Sequence, residues 1–240
     1  MYEETQTNYN CIDAKVVLVG ESGVGKTSII KQFTQHNFDP DSQASISSQF
    51  TSKVVNISNS KKAIRFDLWD TAGQEKYRAL AKIFYKDARI IMFVYEIVNK
   101  KSFESIQNYW YQQVSQNCLP DAVFALVGNK NDLYNQSEVN EDEAMKWADS
   151  IGAIFQTTSA LSNNGIDMLF DIVGKKFLNP NFNYRSEEDE KKKQFEKKKE
   201  NQRENRNNDD VNDNVEIPEV KNIKLDNKIN NKKNKNKRCC

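Results

Sequence analysis

The sequence predicts an α/β fold: a six-stranded, mostly parallel sheet with helices on both faces and one antiparallel hairpin strand. Three observations predict it. Short β-rich apolar runs recur through the first 180 residues, at 14–19, 50–57, 62–69, 90–95, 123–127 and 153–155. Stretches with apolar residues spaced by three or four separate several of them. One pair of runs, 50–57 and 62–69, is joined by the short polar segment Ser58-Asn59-Ser60-Lys61, which reads as a hairpin. Strands alternating with helices build a parallel sheet covered on both sides. Such a sheet binds ligands at the carboxyl ends of its strands.

The elements follow in order. Ala14 to Val19 is an apolar run ending at Gly20, a buried strand, and a helical stretch spans about Lys26 to Gln35. In the hairpin, Ile64, Phe66 and Leu68 alternate with Arg65 and Asp67. Ile90 to Tyr95 and Val123 to Val127 are continuous apolar runs of the kind buried on both faces. Between them Phe103, Ile106, Trp110 and Val114 form one helix face. Ala153 to Phe155 is a last short strand, and Ile166, Leu169, Phe170, Val173 and Phe177 mark a closing helix.

The 240 residues carry 35 Lys+Arg against 34 Asp+Glu, a net charge of +1, with 38% hydrophobic residues and a mean hydropathy of −0.80. The balance excludes a globally basic nucleic-acid binder, so no nucleic-acid partner is expected. It conceals an asymmetry. Residues 181–240 hold 17 basic and 13 acidic residues, 14 Asn and no Gly, which leaves −3 for residues 1–180. Residues 221–240 alone carry eight basic residues and one acid. This composition cannot bury enough apolar surface to offset the entropy of ordering. The expected organisation is a flexible N-terminus (1–11), one domain (12–180) and a disordered charged tail (181–240). No apolar run is long enough to span a membrane. The Met1-Tyr2-Glu3-Glu4 start has neither a signal-peptide pattern nor a myristoylation glycine. Cys11, Cys118, Cys239 and Cys240 do not form a disulfide framework, which fits a reducing compartment.

The chemistry begins at Gly20-Glu21-Ser22-Gly23-Val24-Gly25-Lys26-Thr27, between the first strand and the first helix. This spacing lets backbone N–H groups wrap a phosphate chain at a helix N-terminus. Lys26 reaches the β- and γ-phosphates and the Thr27 hydroxyl ligates Mg²⁺. The phosphate-binding set is Gly20, Ser22, Gly23, Val24, Gly25, Lys26, Thr27 and the adjoining Ser28. Three of the chain's eight glycines fall here, against a merely flexible turn. The motif alone does not choose a base. Asn129-Lys130-Asn131-Asp132 follows a later strand. An Asp carboxylate there accepts both N–H groups of guanine's Watson–Crick edge, which adenine does not offer. At the end of the hairpin's second strand lies Trp69-Asp70-Thr71-Ala72-Gly73-Gln74-Glu75. In it Asp70 can hold a Mg²⁺ water, Gly73 can approach the γ-phosphate through its N–H, and Gln74 can orient an attacking water.

These motifs, in this order, resemble the Ras superfamily of small GTPases, and within it the Rab family, over about residues 12–178. The resemblance implies a P-loop small G domain that binds GTP and GDP with Mg²⁺. It places Phe38 against guanine together with Asn129, Lys130 and Asp132. It lets Ser159 and Ala160 of Thr157-Thr158-Ser159-Ala160 read the guanine carbonyl, and gives Ser45 a Mg²⁺ contact in the GTP state. Phe50, Trp69 and Tyr77 match the aromatic triad that meets effectors. Catalysis is expected to rest on Gln74 and Lys26. No residue is assignable as an internal arginine finger, so intrinsic turnover should be slow and raised by a GTPase-activating protein. The loop Gly20-Glu21-Ser22-Gly23-Val24-Gly25-Lys26 and the switch sequence Ser45-Ile46-Ser47-Ser48-Gln49-Phe50 look most like the early-endosomal branch.

Four positions depart from the family pattern: Ser45 for Thr, Ser47 for Gly, Glu96 for Asp, and Leu161 for the Lys that usually follows Ser-Ala. None replaces Lys26, Thr27, Asp70, Gln74, Asn129 or Asp132, although Leu161 removes a packing and hydrogen-bonding partner of the base region. By the same resemblance, Cys239 and Cys240 match the double-cysteine ending that is geranylgeranylated on both residues. The basic run 232–238 beside them suits an anionic leaflet. The expected protein is a lipid-anchored vesicle-traffic switch on the cytoplasmic face of an intracellular membrane, endosomal by the switch sequence, with a cytosolic pool. Its expected partners are an exchange factor, an activating protein, prenylation escort and GDP-dissociation-inhibitor proteins, and effectors. Two alternatives compete. A nucleotide kinase would leave Asn129 to Asp132 unexplained, and a non-cycling nucleotide-holding module would show no hydrolysis.

Overall fold

A computed structural model describes residues 11–40, 49–71 and 84–185. Six strands form one sheet: β1 (Cys11–Val19), β2 (Gln49–Asn56), β3 (Ala63–Asp70), β4 (Ile90–Glu96), β5 (Val123–Asn129) and β6 (Ile154–Thr157). Their order is β2-β3-β1-β4-β5-β6. Only β2 runs antiparallel, paired with β3 so that Phe50 faces Trp69. The predicted mixed sheet is therefore the observed one. β1 begins three residues earlier than its apolar run, because Cys11 to Asp13 continue the parallel ladder opposite Ala63 to Arg65. The added length carries one half-buried apolar residue, Ile12, between exposed Cys11 and Asp13, too little to extend the apolar run.

Strand alternation divides the core. Val16 and Leu18 of β1, Phe66 and Leu68 of β3, and Met92 and Val94 of β4 face α1 (Lys26–Gln35) and the closing helix. On this side Phe33 stacks on Phe170 with ring centroids 3.5 Å apart. Val17, Val19, Ile91 and Phe93 face the opposite layer. There α2 starts as Lys100–Ser105, passes through a π turn at Ile106–Trp110, and ends as Tyr111–Ser115. It buries Phe103, Ile106, Trp110 and Val114, the predicted face.

α3 (Glu141–Ser150) lies beside α2 and has no counterpart among the apolar periodicities. Its buried side chains are Ala144 and Ala148, too small to write a hydrophobic stripe. Its signal is polar instead. The Asn140 side chain accepts from Glu143 N–H at 3.0 Å, and Glu141, Asp142 and Glu143 fill the first turn, where acids complement the helix dipole.

α4 (Ile166–Leu178) closes the first layer, and the chain then turns back along it. Phe182 and Tyr184 pack on that core. The Tyr184 hydroxyl accepts from Phe155 N–H of the edge strand β6 at 3.2 Å, and Arg185 pairs with Asp149 at 2.5 Å. The clasp covers a backbone donor that a sheet edge would otherwise present. Tyr184→Phe removes that acceptor. We expect a loss of about 1–2 kcal/mol in urea unfolding with an unchanged m-value. An unchanged midpoint would show that water replaces the hydroxyl.

Candidate functional site

β1 has β3 on one side and β4 on the other, so chain connections leave it in both directions. Such a switch point opens a crevice beyond the strand ends. The loops after β1, β5 and β6 meet there, beside the end of β3.

The β1 loop is shaped by glycines. Gly20, Gly23 and Gly25 have φ of 147°, 82° and 96°, which side-chain-bearing residues rarely adopt. At Gly25 a Cβ would also lie 2.2 Å from Asn129 Nδ2. Lys26 turns inward, 6% exposed, and its Nζ donates to the carbonyls of Gly20 at 2.9 Å and Glu21 at 2.8 Å. Burial pulls the Lys26 ammonium down to about 8, against the opposing pull of Asp70 and Glu21. Desolvated so far, it gains most from an anion that replaces its lost water.

Thr27 opens α1 beside the end of β3. Its hydroxyl donates to Asp70 Oδ2 at 2.5 Å. Asp70 is buried, and its neighbour Thr71 fixes the strand end by donating to the Leu18 carbonyl at 2.7 Å. Thr27 and Asp70 thus present hard oxygen donors side by side at the rim of the amide cradle. That donor set fits Mg²⁺, which keeps few protein ligands and completes its shell with water and phosphate oxygens. No cluster of three or more His, Cys, Asp or Glu suited to a metal occurs among the described residues.

The β5 loop reaches both neighbours. Asn129 Nδ2 donates to the Val24 carbonyl at 2.8 Å, and its Oδ1 accepts from the Thr158 hydroxyl at 3.2 Å. Asn129 therefore joins the β1, β5 and β6 loops with its side-chain amide. Lys130 adopts φ 65° and pairs with Glu96, which also accepts from Asn99 Nδ2 at 3.0 Å. Glu96 thus orients Lys130. Asp132 Oδ1 accepts from the Ser159 hydroxyl at 2.5 Å. Gly23, Gly25, Ser28, Phe38, Asp132 and Ala160 are among the residues lining a pocket of about 230 Å³ between these loops. Leu161 also lines it and is 58% exposed.

A sequence model described as the Ras family matches residues 15–179. Ras-related protein Rab-22A of Homo sapiens is 39% identical over 164 residues, covering 68% of this chain and 83% of that protein. The chain belongs to the Rab family. Ras-related protein Rab-25 of Canis lupus familiaris is 35% identical over 176 residues, 73% of this chain and 81% of its own. Rab-21 of Geodia cydonium is 36% identical over 170 residues, 71% and 73% respectively.

This Rab is a GTPase, a GTP-binding switch of vesicle traffic, and family membership brings guanine nucleotide, Mg²⁺, regulators and effectors with it. The structure gathers Gly20, Ser22, Gly23, Val24, Gly25, Lys26, Thr27 and Ser28 into the β1 loop and the start of α1. It brings Phe38, Asn129, Lys130, Asp132 and Ala160 to the pocket just described, with Ser159 bound to Asp132. Phe50 and Trp69 pair across β2 and β3 with centroids 5.2 Å apart, and Phe50 is 56% exposed. Ser45, Ser47, Gly73, Gln74, Tyr77, Cys239 and Cys240 lie outside the described residues. Sequence reasoning does not single out Thr158, which donates to Asn129 in the joint. It names Glu21 only as part of the loop sequence and gives its side chain no role, although that side chain bonds Ser105 and Trp110.

Proposed function

We propose that these loops form one guanine-nucleotide site, and that the protein cycles between GTP and GDP states as a lipid-anchored switch. The observation that carries this reading is the Asn129 joint. It fixes the phosphate loop, the base loop and the β6 loop relative to one another. Preorganised donors then act on the nucleotide without reorganising.

In this reading the amides of Ser22 to Ser28 surround the β-phosphate and Lys26 meets the β- and γ-phosphates. Thr27 and Ser45 would ligate Mg²⁺ and Asp70 would hold one of its waters, and the ion when bound offsets phosphate charge. Asp132 accepts from the guanine edge while the Ser159 hydroxyl holds its carboxylate in place, Phe38 covers the base, and the backbone of Ser159 and Ala160 meets the carbonyl. Gln74 orients the attacking water and Gly73 contacts the γ-phosphate. The γ-phosphate orders loops 36–48 and 71–82, so that Phe50, Trp69 and Tyr77 meet effectors in the GTP state. The switch sequence favours an early-endosomal membrane.

Thr27→Asn tests the site. It removes the hydroxyl that meets Asp70 and adds bulk beside it. We expect GTP affinity to fall about 10²-fold or more and GDP affinity to fall less, measured by fluorescent-nucleotide titration with and without EDTA. Equal Mg²⁺-dependent affinities in variant and wild type would sink the metal assignment.

The anchor rests on Cys239-Cys240 and the basic run before them. Stable attachment takes two signals, which two prenyl chains supply. The 53 residues between Arg185 and Cys239 reach roughly 40 Å if they behave as a flexible coil. No helix among the described residues is long and apolar enough to cross a membrane. Intact protein from a prenylating cell should carry two isoprenoid masses, and Cys239→Ser/Cys240→Ser should move it to the soluble fraction. Unchanged membrane fractionation of the double variant would refute the anchor.

A further inference from the structure

Glu21 sits in the middle of the phosphate loop, yet its side chain leaves that loop. Its Oε1 accepts from the Trp110 indole N–H at 3.0 Å and also from the Ser105 hydroxyl. Both donors come from α2, more than 80 residues away, in the layer on the opposite side of the sheet from α1. In a regular α-helix residues five apart point roughly 140° away from each other. Ser105 and Trp110 are five apart. The π turn between them removes that divergence, and Tyr111 N–H closes it by donating to the Ile106 carbonyl, an i to i+5 bond. The irregular turn thus aims two donors at one carboxylate oxygen.

The phosphate loop needs such support. Its three positive-φ glycines give it little intrinsic stiffness. Lys26 holds the Glu21 carbonyl at 2.8 Å and Asn129 holds the Val24 carbonyl at 2.8 Å. The Glu21 side chain adds a third tie, and this one runs to α2.

We propose that Glu21 is a positioning residue for nucleotide retention: bound to Ser105 and Trp110 at the π turn of α2, it holds the amide cradle in its phosphate-binding shape. The proposal rests on the nucleotide site assigned above. Weakening the tie lets the cradle relax and the diphosphate escape, while the water-orienting chemistry at Gln74 is untouched. Charge-assisted hydrogen bonds of this kind are strong enough to set a dissociation rate.

The test uses the full chain loaded with mant-GDP in Mg²⁺ and chased with excess GDP. Ser105→Ala and Trp110→Phe are each expected to raise the dissociation rate about five- to tenfold. Single-turnover hydrolysis of preloaded GTP should stay within about twofold of wild type, and Ser105→Thr should restore slow release. Glu21→Ala should accelerate release at least as much, and adding Ser105→Ala to it should change nothing further. A wild-type dissociation rate in Ser105→Ala, or additive effects of Glu21→Ala and Ser105→Ala, would overturn the latch. Ser105 is only part-buried, so its variant keeps the test decisive even where Trp110→Phe costs stability. A wild-type chain that does not retain mant-GDP would overturn the nucleotide site itself, and with it the latch.

Discussion

Asp132→Asn is expected to cut GTP affinity by about 10²- to 10⁴-fold and to raise affinity for xanthosine triphosphate. Guanine offers two adjacent N–H donors, and a carboxylate accepts both. An amide keeps one acceptor and turns the other into a donor, which faces a guanine N–H. One charge-assisted bond is inverted and the other loses its charge, and at about 1.5–3 kcal/mol for each charge-assisted bond the loss falls in that range. Xanthine replaces guanine's exocyclic amine by a carbonyl, which the amide N–H₂ can serve. Folding is separable from recognition here. The Ser159 hydroxyl donates to Asp132 Oδ1, and an Asn oxygen can accept the same bond. The variant should therefore unfold near the wild-type midpoint while its base preference changes. Competition of GTP and xanthosine triphosphate against a fluorescent guanine nucleotide measures both affinities. Retained GTP selectivity would remove Asp132 from the base site.

Gln74→Leu is expected to abolish most of the acceleration that a GTPase-activating protein gives, an effect of order 10³–10⁵ in such systems. Leucine is close to glutamine in size but cannot orient water or align with an incoming arginine. Nucleotide affinity should hardly change, since the role proposed for Gln74 is toward the reacting water and not the ground-state phosphates. The variant should accumulate in its GTP form. Single-turnover hydrolysis with saturating activating protein makes the comparison. Unimpaired stimulated turnover in Gln74→Leu would take the water-orienting role away from that side chain.

The parts most legible in the sequence are those where one residue type has one conformational or chemical use. Glycines at positions 20, 23 and 25 announce a backbone that side chains rarely tolerate, and the structure gives each a positive φ. Alternation in 62–69 announces β3 because one slip would turn Phe66 and Leu68 out of the core. α3 is illegible to apolar periodicity because alanines bury no large side chain. The first residues of β1 are illegible because their ladder bonds are backbone bonds and their side chains are largely open to solvent. Long-range polar partners are the least legible of all. That Asn129 reaches Val24 and Thr158, that Glu96 meets Lys130, and that Glu21 crosses to Ser105 and Trp110 depend on how the strands order in the sheet. No local spacing encodes that order. Glu96 shows the consequence: no spacing gives it a role, and in the fold it is the partner of a base-loop lysine.

Base discrimination by the purified chain tests the central claim most directly. With mant-GDP bound in Mg²⁺, unlabelled GDP should displace it at comparable concentration, whereas ADP should need an excess of about 10⁴-fold, the selectivity of a site built to satisfy a particular hydrogen-bonding edge. Displacement by ADP at concentrations similar to GDP would contradict the account, because Asp132, Ser159 and the Asn129 joint would then not be reading a guanine.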